Sequence, residues 1–121
     1  MKKLLIIDED ITQFENINLF LKRSDSSNYY LNYAKTPLEG LAAYHLFLPD
    51  FVVIGFVLPI SEKMSIVKQI RQRSHQTKII VLCQTVWMDF IQGATEGYAD
   101  AYLKKPVTES DFLLCLNNLI S

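Results

Sequence analysis

Short runs of apolar residues recur along the chain and are separated by longer stretches in which apolar and polar residues mix. The clearest runs cover residues 4–7, 51–54 and 79–82 and consist of leucine, isoleucine, valine and phenylalanine. An unbroken apolar run of this length is typical of a strand that helices cover on both faces. The run at 51–54 is followed by Gly55 and predicts the central strand of a sheet.

Two weaker strand patterns and five helical patterns complete the chain. Residues 29–34 and 101–103 predict the additional strands. Capping residues mark helix starts at Asp10, Thr36 and Thr108. The predicted helices cover residues 11–22, 37–47, 64–73, 87–96 and 109–120. Because strands and helices alternate five times, we predict one α/β domain over residues 1–121 with a doubly wound parallel sheet.

The charge balance and the cysteines narrow the class of protein. Lysine and arginine total 12 against 13 aspartate and glutamate residues, and no basic run exceeds two residues, so we expect no nucleic-acid partner. Cys83 and Cys115 are too far apart for a zinc-binding pair and suit a reduced, cytoplasmic setting. No apolar run approaches the ~20 residues needed to cross a bilayer, so we expect no membrane association.

The carboxyl ends of the predicted strands carry a distinctive set of residues. These residues are Asp8, Glu9, Gly55, Cys83, Lys105 and Pro106. In a doubly wound fold, ligands and chemistry lie at the carboxyl ends of the central strands. The sequence therefore predicts a functional site at this edge of the sheet.

Four sequence blocks around these positions resemble the signature blocks of the response-regulator receiver domain family, in its chemotaxis-regulator-like form. The blocks are LLIIDED, PDFVVIGFVLP, IIVLCQ and ADAYLKKPV, they occur in the family's order, and they span essentially the whole chain. The resemblance implies a flavodoxin-like (βα)5 fold with strand order 2-1-3-4-5. It also implies a role in two-component signal transduction.

The resemblance assigns roles to the residues at the strand ends. In receiver domains an acidic pair binds Mg²⁺, and an aspartate at the end of the third strand accepts a phosphoryl group from a histidine kinase. A serine or threonine and a lysine then hold the phosphoryl group. Asp8 and Glu9 match the acidic pair and Lys105 matches the lysine, with Pro106 a candidate for a cis peptide bond.

Three departures from the family pattern alter this pocket. Gly55 stands at the phosphoacceptor position, Cys83 at the position of the hydroxyl, and Lys63 where relatives usually carry glycine. Glycine offers no carboxylate nucleophile, and a thiol is a weak hydrogen-bond donor. We therefore expect a degenerate pocket with no catalytic residue, in a protein that is not an enzyme.

The expected ligands of the pocket follow from these losses. Asp8 and Glu9 remain as candidate ligands for Mg²⁺, and we expect weak binding at most because one of three carboxylates is gone. No other cofactor is expected. Without a carboxylate at Gly55, Lys105 is expected to form a bridge to the acidic pair that holds the pocket in one arrangement.

The predicted fourth helix carries more apolar residues than one buried face needs. One line, Phe90, Ala94 and Gly97, is expected to pack on the sheet. A second line is expected to face outward and, with neighbouring residues, to form the surface where family members bind partners or a second copy. This predicted interaction face consists of Trp87, Ile91, Tyr98, Tyr102 and Leu113. The alternative is a helix rotated so that Trp87 is buried.

These observations favour a pseudo-receiver that signals without phosphorylation, alone or as a regulatory domain of a larger protein. Candidate partners are a histidine kinase, an output domain, or a second copy bound through the surface between the fourth and fifth helices. Two alternatives remain open: a phosphoacceptor that uses another acidic residue, and a flavodoxin-like domain that binds a small molecule. Cys83 is either a small apolar filler or a redox-sensitive thiol near Lys105.

Overall fold

The apolar runs form five strands of one parallel sheet. The computed structural model describes residues 2–24, 28–56 and 61–120. The strands are β1 (Lys2–Ile7), β2 (Tyr29–Ala34), β3 (Phe51–Gly55), β4 (Lys78–Cys83) and β5 (Ala101–Lys104). Their order in the sheet is β2-β1-β3-β4-β5, and each neighbouring pair is parallel. The predicted flavodoxin-like sheet and its strand order are confirmed.

Five helices connect and follow the strands. They are α1 (Ile11–Arg23), α2 (Pro37–Phe47), α3 (Ser61–Arg73), α4 (Met88–Thr95) and α5 (Glu109–Ile120), and a 3₁₀ turn at Thr85–Trp87 precedes α4. The third helix begins at Ser61, three residues before the predicted start. Residues 25–27 of the predicted loop and residues 57–60, which include the end of the block PDFVVIGFVLP, lie outside the described residues.

Side chains on alternate positions of the central strands feed two apolar layers. Leu5 and Ile7 of β1 face a layer closed by α2, α3 and α4, whereas Leu4 and Ile6 face a layer closed by α1 and α5. All four side chains are almost completely buried. Burial of a leucine or isoleucine side chain contributes ~1.5–3 kcal/mol, so this strand is a major source of stability. It also provides a rigid support for the residues that follow it.

Side-chain caps fix where three of the helices begin. A side-chain oxygen of the capping residue accepts a backbone N–H bond in each case. Asp10 accepts from the Thr12 N–H at 3.0 Å, Thr36 accepts from the Glu39 N–H at 3.1 Å, and Thr108 accepts from the Asp111 N–H at 3.2 Å. The bond from the Thr12 N–H lowers the pKa of Asp10. Asp10 thus ends the turn that carries Asp8 and Glu9 and is itself engaged in capping α1.

The length and apolar character of the helices test whether any of them could cross a membrane. Within residues 2–24, 28–56 and 61–120, no helix combines the length and the apolar character that crossing a bilayer requires.

Candidate functional site

Parallel strand register brings the predicted site residues to one edge of the sheet. Ile7 pairs with Ile54, so Asp8 emerges beside Gly55, the last residue of β3. On the other side, Gly55 pairs with Leu82, and Cys83 pairs with Lys104. The carboxyl ends of four adjacent strands therefore place Asp8, Gly55, Cys83 and Lys105 close to one another.

Asp8 is buried beneath this edge and its carboxylate is held on both sides. Only 1% of the residue is exposed. Its Oδ1 accepts a 2.9 Å hydrogen bond from the Asp10 N–H, and its Oδ2 lies 2.8 Å from Lys105 Nζ. The second contact is an ion pair by distance, without the alignment of a hydrogen bond. The predicted lysine bridge is thus present at Asp8.

The Asp8 carboxylate lies directly over Gly55. A Cβ atom built on Gly55 would stand 1.8 Å from Asp8 Oδ2 and 3.0 Å from Lys105 Nζ. Carbon and oxygen cannot approach to 1.8 Å without forming a bond, so any side chain at Gly55 would displace the Asp8 carboxylate. The Asp8–Lys105 ion pair in this arrangement therefore requires a residue without a side chain at position 55.

Glu9 has a different partner from the one predicted. Its Oε1 accepts a 2.5 Å hydrogen bond from Lys63 Nζ, in the first turn of α3. Lys63 is 3% exposed, whereas the Glu9 side chain is 47% exposed. Burial of an unpaired ammonium is costly, and the carboxylate offsets that cost. The predicted lysine bridge to the acidic pair is in fact two bridges, with Lys105 on Asp8 and Lys63 on Glu9.

Lys63 is the site residue whose role the sequence left unassigned. The available signal was that Lys63 stands where relatives of the receiver family usually carry glycine. Its pairing with Glu9, 54 positions away, could not be read from spacing.

Cys83 is enclosed at the end of β4. The residue is fully buried, and its Sγ contacts Met88 Sδ at 3.5 Å. Burial raises the pKa of the Cys83 thiol, and the smaller effect of nearby Lys105 acts in the opposite direction. A buried thiol that holds its proton is a poor nucleophile, so these surroundings favour the apolar-filler interpretation over the redox one.

Pro106 adjoins the pocket, and three polar residues lie near Gly55 in the sequence. The Lys105–Pro106 peptide bond is cis, as the resemblance implied. Asp50 lies at the opposite end of β3, where its Oδ2 accepts a 2.8 Å bond from the Lys3 N–H. Ser61 and Glu62 begin α3 with exposed side chains.

The residues present do not fit a bound Mg²⁺ ion. Mg²⁺ requires oxygen ligands in near-octahedral geometry, but the Asp8 and Glu9 carboxylates each contact an ammonium and Gly55 supplies no oxygen. The described ranges contain no cluster of three or more histidine, cysteine, aspartate or glutamate side chains suited to a metal ion.

The predicted interaction face needs correction at α4. Ile91 is 1% exposed and packs in the core, whereas Phe90, which was expected to be buried, is 57% exposed. The α-helix begins at Met88 after the 3₁₀ turn, so the side of α4 that includes Ile91 and Thr95 faces the sheet.

The other members of the predicted face lie between core and surface. Trp87 is 37% exposed. Tyr98, Tyr102 and Leu113 are half-buried against the two apolar layers. The Tyr102 hydroxyl lies 2.6 Å from Thr95 Oγ1, which itself donates to the Ile91 carbonyl. The large exposed apolar residues here are instead Val86 and Trp87, in the 3₁₀ turn before α4, and Phe90 on α4; they are called the α4 apolar surface below.

Comparison with known proteins gives consistent results. DNA-binding dual master transcriptional regulator RpaA of Synechocystis is 29% identical over 99% of this chain and 49% of its own length. The chain spans about half the length of the curated relatives it matches. The crystal structure of a response regulator receiver domain protein from Clostridium thermocellum is 27% identical, with a TM-score of 0.84 over 99% of this chain and 94% of that one.

Further matches extend the likeness of fold and sequence. Chemotaxis protein CheY4 of Vibrio cholerae shares the fold, with a TM-score of 0.79 at 24% identity and 98% coverage of both chains. The family model described as the response regulator receiver domain matches residues 4–117, which include every residue of the pocket. The chain therefore belongs to the response regulator receiver domain family.

Proposed function

We propose that this receiver domain signals without phosphorylation at its third strand, by binding other proteins. One observation carries the proposal: Gly55 stands at the phosphoacceptor position and the Asp8 carboxylate, paired with Lys105, lies over it. Phosphoryl acceptance requires a carboxylate that can attack the donor in line. Gly55 has none, and Asp8 is buried with both of its oxygens engaged.

The lysine of the pocket supports the same proposal. In receiver domains this lysine contacts the phosphoryl group, but here Lys105 is already paired with Asp8 at 2.8 Å. The acceptor carboxylate is therefore absent, and the lysine that would stabilise the phosphoryl group is already paired within the folded chain. The pocket holds one arrangement, and the domain transmits information through what it binds.

The α4 apolar surface is the proposed binding region. Val86 is 81% exposed and Phe90 57% exposed, beside the partly exposed Trp87. A shallow groove of about 400 Å³ continues from α4 toward β5 and is lined in part by Gly93, Gly97 and Tyr102. Contiguous exposed apolar residues of this kind mark interaction sites on many proteins. The proposed binding partner is another protein: a kinase, an output domain or a second copy of this chain.

A second candidate function is phosphorylation of Asp8. The observation that favours it is the position of the Asp8 carboxylate, which lies where a side chain at residue 55 would begin. Its burial and its ion pair with Lys105 oppose attack on an external donor. We therefore rank this function below the phosphorylation-independent one.

Incubation with Mg²⁺ and acetyl phosphate, followed by intact-mass measurement, distinguishes the two functions. The proposal expects an unchanged mass, under conditions that label a receiver domain with the usual aspartate. A mass increase of one phosphoryl group would contradict it. If that increase disappears in Asp8→Asn, Asp8 is the acceptor.

A further inference from the structure

The geometry points to Lys63 as a built-in counter-ion of the acidic pair. We propose that its ammonium takes the charge-neutralising role that a divalent cation plays in receiver domains, so that the pocket keeps one charge arrangement whether or not Mg²⁺ is present. This inference goes beyond the proposed function, since it concerns the ions of the pocket and not the phosphoryl group or the partner.

The position of Lys63 is unusual for a lysine at the start of a helix. Lysine side chains in the first turn usually extend into water, yet Lys63 is 3% exposed and its Nζ contacts Glu9 Oε1. The positive end of the helix dipole also disfavours a cation in this turn. The ion pair with Glu9 offsets part of the cost of burying the Lys63 ammonium here.

The carboxylates of the acidic pair already have positive partners. Lys105 pairs with Asp8, and Lys63 pairs with Glu9. A divalent cation would add two positive charges beside these two ammonium groups and would compete with them for the carboxylates. Like charges a few ångströms apart repel one another strongly at a partly exposed site. Mg²⁺ is thus excluded by a competitor that belongs to the chain.

Removal of the Lys63 charge tests this inference directly. The probes are Mn²⁺, followed by electron paramagnetic resonance, and Mg²⁺, followed by titration calorimetry, with the whole chain as described. Lys63→Met keeps the length of the side chain and removes its charge. Lys68→Met is the matched control, because Lys68 lies on the same helix and its Nζ packs over the Tyr98 ring, away from the pocket.

We expect the native chain and Lys68→Met to bind both ions equally weakly. Lys63→Met should bind them about tenfold more tightly or better, as removal of one adjacent positive charge predicts, and Glu9→Gln in that background should abolish the gain. If Lys63→Met does not fold, Lys63→Gln provides the same comparison.

Two results would overturn the inference. One is a folded Lys63 variant that binds no more tightly than the native chain. The other is a gain in affinity that Glu9→Gln does not abolish. Neither result depends on phosphate labelling or partner capture, so this inference and the proposed function can fail separately.

Discussion

At the scale of single residues, a glycine and an aspartate define the state of the pocket. The Asp8 carboxylate lies where a Cβ atom of residue 55 would stand, at 1.8 Å from the built position. The space over Gly55 is therefore not empty, because the Asp8 carboxylate occupies it and the Lys105 ammonium pairs with that carboxylate. The sequence predicted the Lys105 bridge from residue roles alone. It could not predict the overlap, which depends on the rotamer of Asp8.

A double-mutant cycle on Gly55 and Asp8 measures how strongly a side chain at residue 55 clashes with the Asp8 carboxylate. Gly55→Ala forces the new methyl group against Asp8 Oδ2 and should destabilise the native chain by about 1–3 kcal/mol, the usual cost of overpacking. In an Asp8→Ala background the obstacle is gone, so the same change should cost ~0.5 kcal/mol or less. Urea unfolding of the four chains gives the coupling. Equal costs of Gly55→Ala in both backgrounds would show that Asp8 does not occupy this space.

The buried thiols predict a loss of stability in alkaline solution. Burial raises the pKa of Cys83 and of Cys115 above the ordinary value of 9.0. As pH rises past 9.0, the thiols of the unfolded chain lose their protons first, and the unfolded state is favoured. The stability that the two buried, protonated thiols contribute is therefore fully present below pH 9.0. It is lost as pH rises through their higher pKa values in the folded chain.

Unfolding free energies measured at a series of pH values above neutrality check this prediction. The free energy should fall on the alkaline side, and Cys115→Ala should make that fall shallower because one of the two thiols is removed. The native chain should also react slowly with a thiol reagent compared with the chain in urea. A stability that rises with pH, or a Cys115→Ala profile as steep as the native one, would contradict the argument.

At the scale of elements, apolar pattern and capping residues predicted the order and type of all five strands and all five α-helices. The pattern succeeded because β1, β3 and β4 are covered on both faces and, after the lysines that begin β1 and β4, contain no charged residue. It was wrong about which side of α4 faces the sheet. The two candidate lines of α4 are both apolar, so the pattern alone did not decide between them, and the structure buries the line that contains Ile91.

Two polar residues that the structure buries have internal partners. Thr95 is completely buried, although its hydroxyl suggests a surface position. The hydroxyl donates to the Ile91 carbonyl at 2.7 Å and lies 2.6 Å from the Tyr102 hydroxyl, so its burial leaves no unsatisfied group. Lys63, in the first turn of α3, is also buried, and its ammonium pairs with Glu9. Sequence pattern fails where a polar group finds an internal partner.

Arg71 ties the end of α3 to the turn that leads from α4 into β5. Its guanidinium donates to the carbonyls of Tyr98 and Thr77, at 2.8 and 2.9 Å, and to Asp100 Oδ2 at 2.5 Å. The same Asp100 oxygen accepts a bond from the Ile79 N–H at the start of β4. One side chain therefore fixes the connection between α4 and β5.

Replacement of Arg71 should loosen this connection. Arg71→Met removes the guanidinium donors from the Asp100 carboxylate and from three backbone carbonyls, those of Tyr98, Thr77 and Ser74, so we expect a destabilisation of about 2–4 kcal/mol. Arg73→Met is the matched control, since Arg73 lies two residues further along and is exposed. Urea unfolding measures stability, and amide hydrogen exchange should accelerate in residues 98–101. Equal effects of the two substitutions would show that Arg71 is an ordinary surface residue.

At the scale of the whole molecule, the receiver fold combines a pocket whose charges are paired with an exposed apolar surface. Asp8, Glu9, Lys63 and Lys105 form two ion pairs, with side chains that are buried or nearly so except at Glu9. In the turn before α4 and on α4 itself, by contrast, Val86 and Phe90 project large apolar side chains into solvent. A domain whose pocket is internally satisfied and whose adjacent helix is not should respond to proteins more than to small ions or phosphate.

This contrast predicts the effect of a charge on the α4 apolar surface. Phe90→Glu and Trp87→Glu should weaken self-association or partner capture, because a carboxylate that enters an apolar interface must be desolvated without a partner. Because both side chains are at least partly exposed, the fold should be retained, as circular dichroism and urea unfolding can verify. Leu46→Glu is the matched control: Leu46 is 89% exposed on α2, outside this surface. Sedimentation velocity of the pure chains and capture from native extract provide the measurements. If Leu46→Glu reduces binding as much as Phe90→Glu, or neither does, partners bind elsewhere on the domain.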